Sequence, residues 1–288
     1  MNCTICNCNN TEVSFIKNGY SILHCNYCNH LYTGYVPSQK EVKLIYSDDY
    51  FFNGGAGYND YTMEREMLIK RGEYYADKMS KYVNPGKVLD IGSAAGFLLK
   101  GFENKNWKGT GIEPNHTMVK YGKQNLGLNL LNGTIETIDL KDKFDLIVLI
   151  QVAAHIYNLD ISFNRINEYL NPGGHVLIET WDKDSLTAKI FGKYWHEYSP
   201  PSTLNYFSKK TLKLFMNQHE FSLIARGIPR KSILSKHAKS LISHTFSESK
   251  SLKWIAGITR LIPDNIIIPY PSEDLFWALY KNDRRIDK

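Results

Sequence analysis

The 288-residue sequence has no cysteine beyond Cys28; all five lie in the first 28 residues. A cysteine nucleophile in the body of the chain is thereby excluded. It also lacks a long apolar run. The longest, Phe144 to Ile156, is broken by Asp145, Gln151 and His155, whereas a membrane span needs about 20 apolar residues. The start, MNCTICNCNN, is polar and has no apolar h-region, so no secretory signal is read there. These absences point to a cytoplasmic chain, in which clustered thiols favour metal over disulfide. No internal repeat and no low-complexity tract is visible. A strong excess of one charge is missing as well: 35 Lys and Arg face 29 Asp and Glu, a net charge of +6. With 43% hydrophobic and 22% charged residues, wholesale disorder, collagen and coiled coil are excluded. The length suits two domains, or one large domain with an appendage.

What is present begins with the cysteines. Cys3-x-x-Cys6 is followed, 18 residues on, by Cys25-x-x-Cys28. Each CxxC turn aims two sulfurs at one point, and two turns supply the four thiolates of a closed tetrahedral zinc site. Cys8 is left over; His24 and His30 are weaker ligand candidates. A ribbon of residues 1–33 is too small for a stable core, so metal would supply its folding energy. Such a metal is structural. The ribbon holds one Lys (Lys17), no Arg and one Glu (Glu12). Phosphate binding needs Lys and Arg, so nucleic acid is an unfavoured partner and packing against protein is expected.

Residues 85–180 alternate strand and helix patterns. Lys87–Ile91 is a short apolar run ending in the turn Gly92-Ser93-Ala94-Ala95-Gly96. The stretch from Phe144 to Ile150 is nearly all apolar, as a strand buried on both faces requires. This pattern predicts a parallel α/β sheet, Rossmann-like, with ligands at the carboxyl ends of its strands. The glycines let backbone approach a ligand, and Glu113, 21 residues past Gly92, can accept hydrogen bonds from both hydroxyls of a ribose. Up to this point NAD and S-adenosylmethionine fit equally.

Four motifs in order then separate the two. The stretch Val88-Leu89-Asp90-Ile91-Gly92-Ser93-Ala94-Ala95-Gly96-Phe97-Leu98 resembles motif I of class I S-adenosylmethionine-dependent methyltransferases. Gly111-Ile112-Glu113-Pro114, Phe144 to Ile156, and Leu170-Asn171-Pro172-Gly173-Gly174 are similar to their second-, fourth- and fifth-strand motifs. The front end also resembles a bacterial subgroup with an N-terminal zinc ribbon, acting on sugars, surface polysaccharides and secondary metabolites. That likeness rests on Cys25-x-x-Cys28-Asn29-His30, Tyr46-Ser47-Asp48-Asp49-Tyr50-Phe51, Gly57-Tyr58-x-x-Tyr61 and Trp195 to Ser208.

The resemblance implies roles. Asp90, Gly92, Ser93, Ala94, Gly96 and Phe97 would surround the methionine part of the cofactor. Glu113 and Pro114 would meet the ribose, Ile135 and Glu136 would flank the adenine, and Gln151 would sit beside the sulfonium. Tyr58 and Tyr61 would form a lid. Three positions depart from the family: Ala94 replaces a glycine, Ala154 a glutamate and Thr203 a histidine. Ala94 is tolerable if its φ stays negative. Methyl transfer needs alignment and exclusion of water, and a hydroxyl or carbon acid must also lose a proton. His155, just past the fourth strand, is the candidate catalytic base. Trp195, His196 and Tyr198 are candidates for the acceptor pocket.

Phe221–Arg226 and Leu275–Tyr280 read as the antiparallel pair closing a seven-stranded sheet. Between them, Ile233, Leu234, Ala238, Leu241 and Ile242, then Trp254, Ile255, Ile258, Leu261 and Ile262, follow a helical period. Residues 226–260 carry eight Lys and Arg against Glu248 alone, a net +7. Three readings stay open for this basic pair: a solvated lid, an anionic membrane surface contacted through 229–262, or an anionic acceptor. The organisation is thus a zinc ribbon (1–33), linker and lid helices (34–84), a methyltransferase core (85–228), a basic helical insertion (229–268), and a last strand with tail (269–288). A small-molecule acceptor, a sugar or glycan precursor, is the first reading. An RNA methyltransferase and a non-catalytic binding member are the alternatives.

Overall fold

The computed structural model describes residues 1–52, 60–235, 239, 263, 266–270 and 272–284. In the ribbon, β1 (Thr11–Lys17), β2 (Tyr20–Cys25) and β3 (Leu31–Thr33) pair antiparallel. Each CxxC is followed by a left-handed asparagine, Asn7 at φ 54° and Asn29 at φ 65°. Asparagine visits that region more readily than other side chains. The Asn7 N–H donates to the Cys3 carbonyl, and the Asn29 N–H donates to the Cys25 carbonyl. The two turns therefore close in the same way.

Next come α1 (Gln39–Ile45), opened by a Ser38/Glu41 capping box, and α2 (Asp48–Phe52). A 3-10 turn (Tyr61–Glu64) leads into α3 (Arg65–Met79). The alternating core follows: β4 (Lys87–Ile91), α4 (Phe97–Glu103), β5 (Lys108–Glu113), α5 (His116–Leu126), β6 (Leu130–Asn132), β7 (Phe144–Ile150), α6 (Leu159–Tyr169) and β8 (Leu170–Trp181). Beyond it lie α7 (Leu186–Phe191), β9 (Asn205–Tyr206), α8 (Lys209–Gln218), β10 (Phe221–Gly227), β11 (Lys231–Leu234), β12 (Ile267–Tyr270) and β13 (Leu275–Asn282).

The main sheet has the order β10-β13-β8-β7-β4-β5-β6. Its strands β4 to β8 run parallel, while β13 is antiparallel to both β8 and β10. This is the expected Rossmann-like, seven-stranded arrangement with its antiparallel closing pair. Helix α3 crosses α4 at two glycines. A Cβ on Gly72 would stand 2.1 Å from the Leu98 carbonyl oxygen, and one on Gly101 2.3 Å from that of Ile69. The same helix is clamped to the sheet by Arg71 and Tyr75, which both donate to the buried Glu179 carboxylate near the end of β8.

The ribbon is sewn onto this core. Strand β3 pairs antiparallel with β9, Thr33 Oγ1 donates to the Thr203 carbonyl at 2.9 Å, and Thr4 Oγ1 donates to Asn205 Oδ1 at 2.8 Å. Cys3, Ile5, Cys25 and Tyr32 share one apolar cluster with Phe207 and Phe215. One expectation is corrected: Ile233 and Leu234 are not helical but belong to β11, opposite Ile268 and Ile267 of β12. Two adjacent apolar residues fit either period, and here strand pairing decides. The other positions of the expected helical pair lie outside the described residues. Among those described, no helix is long and apolar enough to cross a membrane.

Candidate active site

The sulfurs of Cys3, Cys6, Cys25 and Cys28 all lie within 4.8 Å of one another. Cys3 and Cys28 are 3.5 Å apart and Cys6 and Cys25 3.6 Å. Thiolates about 2.3 Å from a tetrahedral zinc would be spaced nearly so, and the donor set suits that metal. Burial pushes the Cys3 thiol up to about 11. Cys8 takes another part: its carbonyl accepts the Cys3 N–H at 2.9 Å. His30 is fully buried, its ring 6.0 Å from Tyr32 and 5.4 Å from Phe207. His24 bonds Asn29 at 2.6 Å. Neither histidine belongs to the four-ligand group.

At the carboxyl end of β4, Gly92 (φ 68°) and Gly96 (φ 78°) shape the turn into α4. Asp90 is 2% exposed, and its Oδ2 has no partner among the described residues. Glu113 ends β5 nearly buried. Its Oε2 accepts the Ala94 N–H at 2.9 Å and its Oε1 the Asn115 N–H at 2.8 Å. Burial raises the Glu113 carboxyl to about 7. Burial and then the charge of Glu113 raise Asp90 to about 8. Ala94 does not keep a negative φ; it stands at +47°. The tight turn that offers its N–H to Glu113 requires that conformation, and a non-glycine residue bears roughly 1 kcal/mol of strain there.

Gln151 follows β7 at φ 60°, its N–H bonded to the Glu179 carbonyl at 2.8 Å. Its buried Nε2 has no partner among the described residues. An unpaired buried polar atom costs about 1–3 kcal/mol. Two such atoms, on Asp90 and Gln151, stand at the ends of neighbouring strands, where a polar ligand would satisfy both. Pro114 is partly exposed beside Glu113. Ile135 is buried, and Glu136 accepts from the Ser162 hydroxyl at 2.8 Å. Ser93 lies buried in the turn. Tyr61 stacks on Phe97 at 5.4 Å and meets Phe51 edge-on at 5.6 Å. Tyr58 lies outside the described residues.

His155 ends a 3-10 turn (Ala153–His155) after β7. Its Nδ1 is 2.7 Å from the Ser202 carbonyl. A carbonyl only accepts, so this bond assigns the proton to Nδ1 and leaves Nε2 with a lone pair. Burial holds the imidazole below its ordinary pKa, which favours the neutral form. Tyr46 donates to the same carbonyl at 3.2 Å and meets the imidazole edge-on at 6.2 Å. In the sequence Tyr46 stands within a family-like motif that carries no role for it.

Trp195 and Tyr198, expected at the acceptor pocket, are buried in a cluster with Ile22 and Tyr206, where the ribbon meets the core. The Trp195 indole donates to the Asp274 carboxylate at 3.1 Å. Packing accounts for both aromatics without an acceptor. His196 lies edge-on to Trp181 at 4.6 Å, with Nε2 3.6 Å from the Glu197 carboxylate. Thr203 is buried, its hydroxyl 3.1 Å from that of Ser199.

A family model for the methyltransferase domain matches residues 66–226. Curated relatives include malonyl-[acyl-carrier protein] O-methyltransferase 2 of Ilyobacter polytropus, 29% identical over 144 residues, 47% of this chain and 53% of that protein. A ubiquinone biosynthesis O-methyltransferase of Nitrobacter winogradskyi is 25% identical over 103 residues, 34% of this chain and 40% of the relative. The chain thus spans about half the length, or less, of these relatives. A candidate methyltransferase from Bacillus halodurans, with a solved structure, aligns over 74% of this chain and 99% of its own at 13% identity and a TM-score of 0.55. That likeness is one of fold alone. The chain belongs to the methyltransferase-domain family, and its core is a class I S-adenosylmethionine-dependent methyltransferase domain.

Proposed function

We propose that this chain transfers a methyl group from S-adenosylmethionine to a hydroxyl of a small molecule, a sugar or glycan precursor, with His155 as base. The observation that carries the reading is the pair of raised, buried carboxylates, Asp90 and Glu113, beside the unpartnered Gln151 amide. These groups suit a cationic, hydroxyl-bearing ligand. Glu113 and Pro114 hold the ribose, and Ile135 and Glu136 border the adenine. Asp90, Gly92, Ser93, Ala94, Gly96 and Phe97 surround the methionine end. Gln151 orients the region of the sulfonium, and Tyr61, with Tyr58, covers it.

When bound, S-adenosylmethionine supplies a methyl group that is already activated. The chain's own work is to align the acceptor, exclude water and take one proton. His155 takes that proton at Nε2, because Nδ1 is committed to Ser202. The two curated relatives bear names of O-methyltransferases, which supports an oxygen acceptor. Cys3, Cys6, Cys25 and Cys28 hold a structural zinc; with four thiolates the metal keeps no open position and takes no part in the transfer.

Calorimetry tests the cofactor reading. The wild type binds S-adenosylmethionine, and Glu113→Ala, losing two backbone partners and the ribose contacts, binds at least about 30-fold more weakly. No binding at millimolar cofactor would sink the reading. On a hydroxylated acceptor that the wild type methylates, His155→Ala binds cofactor normally and turns over about 10²- to 10⁴-fold more slowly. Unchanged turnover removes His155 as base.

A further inference from the structure

Asn115 lies between the cofactor carboxylate and the N-terminal helices. Its N–H donates to Glu113 Oε1 at 2.8 Å, and its Oδ1 accepts the Met118 N–H at 2.8 Å, capping α5. Its Nδ2 donates both to the Tyr46 carbonyl and to Asp48 Oδ1, each at 3.0 Å. Thr117 Oγ1 reinforces the anchor, donating to Asp48 Oδ2 at 3.0 Å. The corner between α1 and α2 therefore hangs on the residue two positions past Glu113. From that corner the Tyr46 hydroxyl reaches the Ser202 carbonyl, the acceptor that also fixes His155.

We propose that Tyr46 is a positioning residue that couples Glu113 to His155 through Asn115 and the Ser202 carbonyl. The inference rests on the reading of Glu113 as ribose acceptor and His155 as base. The carbonyl has two lone pairs and takes both donors. A ligand that draws on Glu113 Oε1 shifts the Asn115 backbone, then Tyr46, and then the Ser202 oxygen that orients the imidazole. Cofactor binding thereby sets the aim of Nε2. Sharing also fixes a sign. Without the phenol, the Ser202 oxygen binds the Nδ1 proton more strongly, which favours imidazolium. The groups around this relay are known. Tyr46 is kept protonated by burial and then by the charges of Tyr50, Glu113 and Glu136. His155 faces the Ser202 carbonyl and the Tyr46 ring.

The test needs no acceptor. The full chain is labelled with 15N in its histidine rings, and the His155 signals are identified by their loss in His155→Ala. S-adenosylhomocysteine is the probe. The wild type is expected to show the Nδ1-protonated tautomer and a clear shift of the His155 signals on saturation. Tyr46→Phe keeps the ring and binds the probe within about threefold of the wild type. Its ligand-induced shift falls below half, and its His155 titrates at higher pH. Asp48→Ala loosens the anchor from an exposed position and halves the shift independently. An Nε2-protonated wild type, or an undiminished shift in both variants, overturns the coupling. Failure of the wild type to bind the probe overturns instead the cofactor reading beneath it.

Discussion

Two sets of like groups converge in this molecule: four thiols in the ribbon, and the carboxyls of Asp90 and Glu113 in the cofactor cradle. Both suit a cation. They differ in what holds them in place. The Glu113 carboxylate is fixed by the N–H groups of Ala94 and Asn115, between strands of a seven-stranded sheet packed on both sides. The thiols stand on two short turns in a sheet whose β1 is largely exposed. Packing preforms the cradle, whereas on the proposed zinc reading metal binding supplies most of what the ribbon lacks. A site for an exchangeable ligand gains from standing ready; a site for a permanent ion has no such need.

The sharpest way to break this contrast is to remove the metal. Chelation, or Cys25→Ser, should release one zinc per chain and lower Tm by roughly 10 °C, equivalent to about 3 kcal/mol of coupled stability. Binding of S-adenosylhomocysteine should persist at lower temperature. Metal analysis with thermal melts checks this, and an unchanged melt would show that the ribbon stands on packing alone. A smaller effect sharpens the other side. Asp90 and Glu113 titrate near 8 and 7 when folded, above the ordinary carboxylate range. The folded state thus keeps protons the unfolded chain has released, so stability falls as pH rises through these values. Urea unfolding followed between about pH 6.5 and 8 should show the decline. Asp90→Asn should flatten it; equal slopes for variant and wild type would refute the assignment. The smallest effect is expected at Ala94→Gly. Relief of a left-handed alanine, partly offset by chain entropy, should raise stability by about 0.5 kcal/mol with probe affinity kept within threefold. A loss above about 1 kcal/mol would mean that the methyl is needed for packing with Phe97.

The ribbon and the order of core strands were legible because each has a local code: CxxC spacing, apolar runs and glycine turns. The antiparallel closing pair was legible too, since Phe221 to Arg226 and Leu275 to Tyr280 read as strands and the family resemblance implies such a pair. What was hidden depends on long-range pairing. Strand β9 is two residues long and has no period to read. Ile233 and Leu234 fit a helix until Ile267 and Ile268 lie opposite them. Trp195 and Tyr198 looked like pocket walls because aromatic residues near a site cannot be told from aromatic residues under a ribbon. The φ of Ala94 is set by Glu113, 19 positions later. Tyr46 is tied to the site through Asn115 and Ser202, 69 and 156 residues away.

The seam between β3 and β9 bears on how the chain is made. Thr33 must wait for residue 203 and Leu31 for Tyr206 before they find their partners. During synthesis the ribbon emerges long before the strand that completes its sheet, and at about 5–20 residues per second the delay is of the order of 10 to 30 s. A metal captured early would hold the ribbon's edge in register through that interval. The contacts formed at the end of that interval would include those of the turn that carries Ser202. Assembly of the proposed base site would then follow that of the ribbon, and β13, which lies between β8 and β10, would complete the main sheet later still.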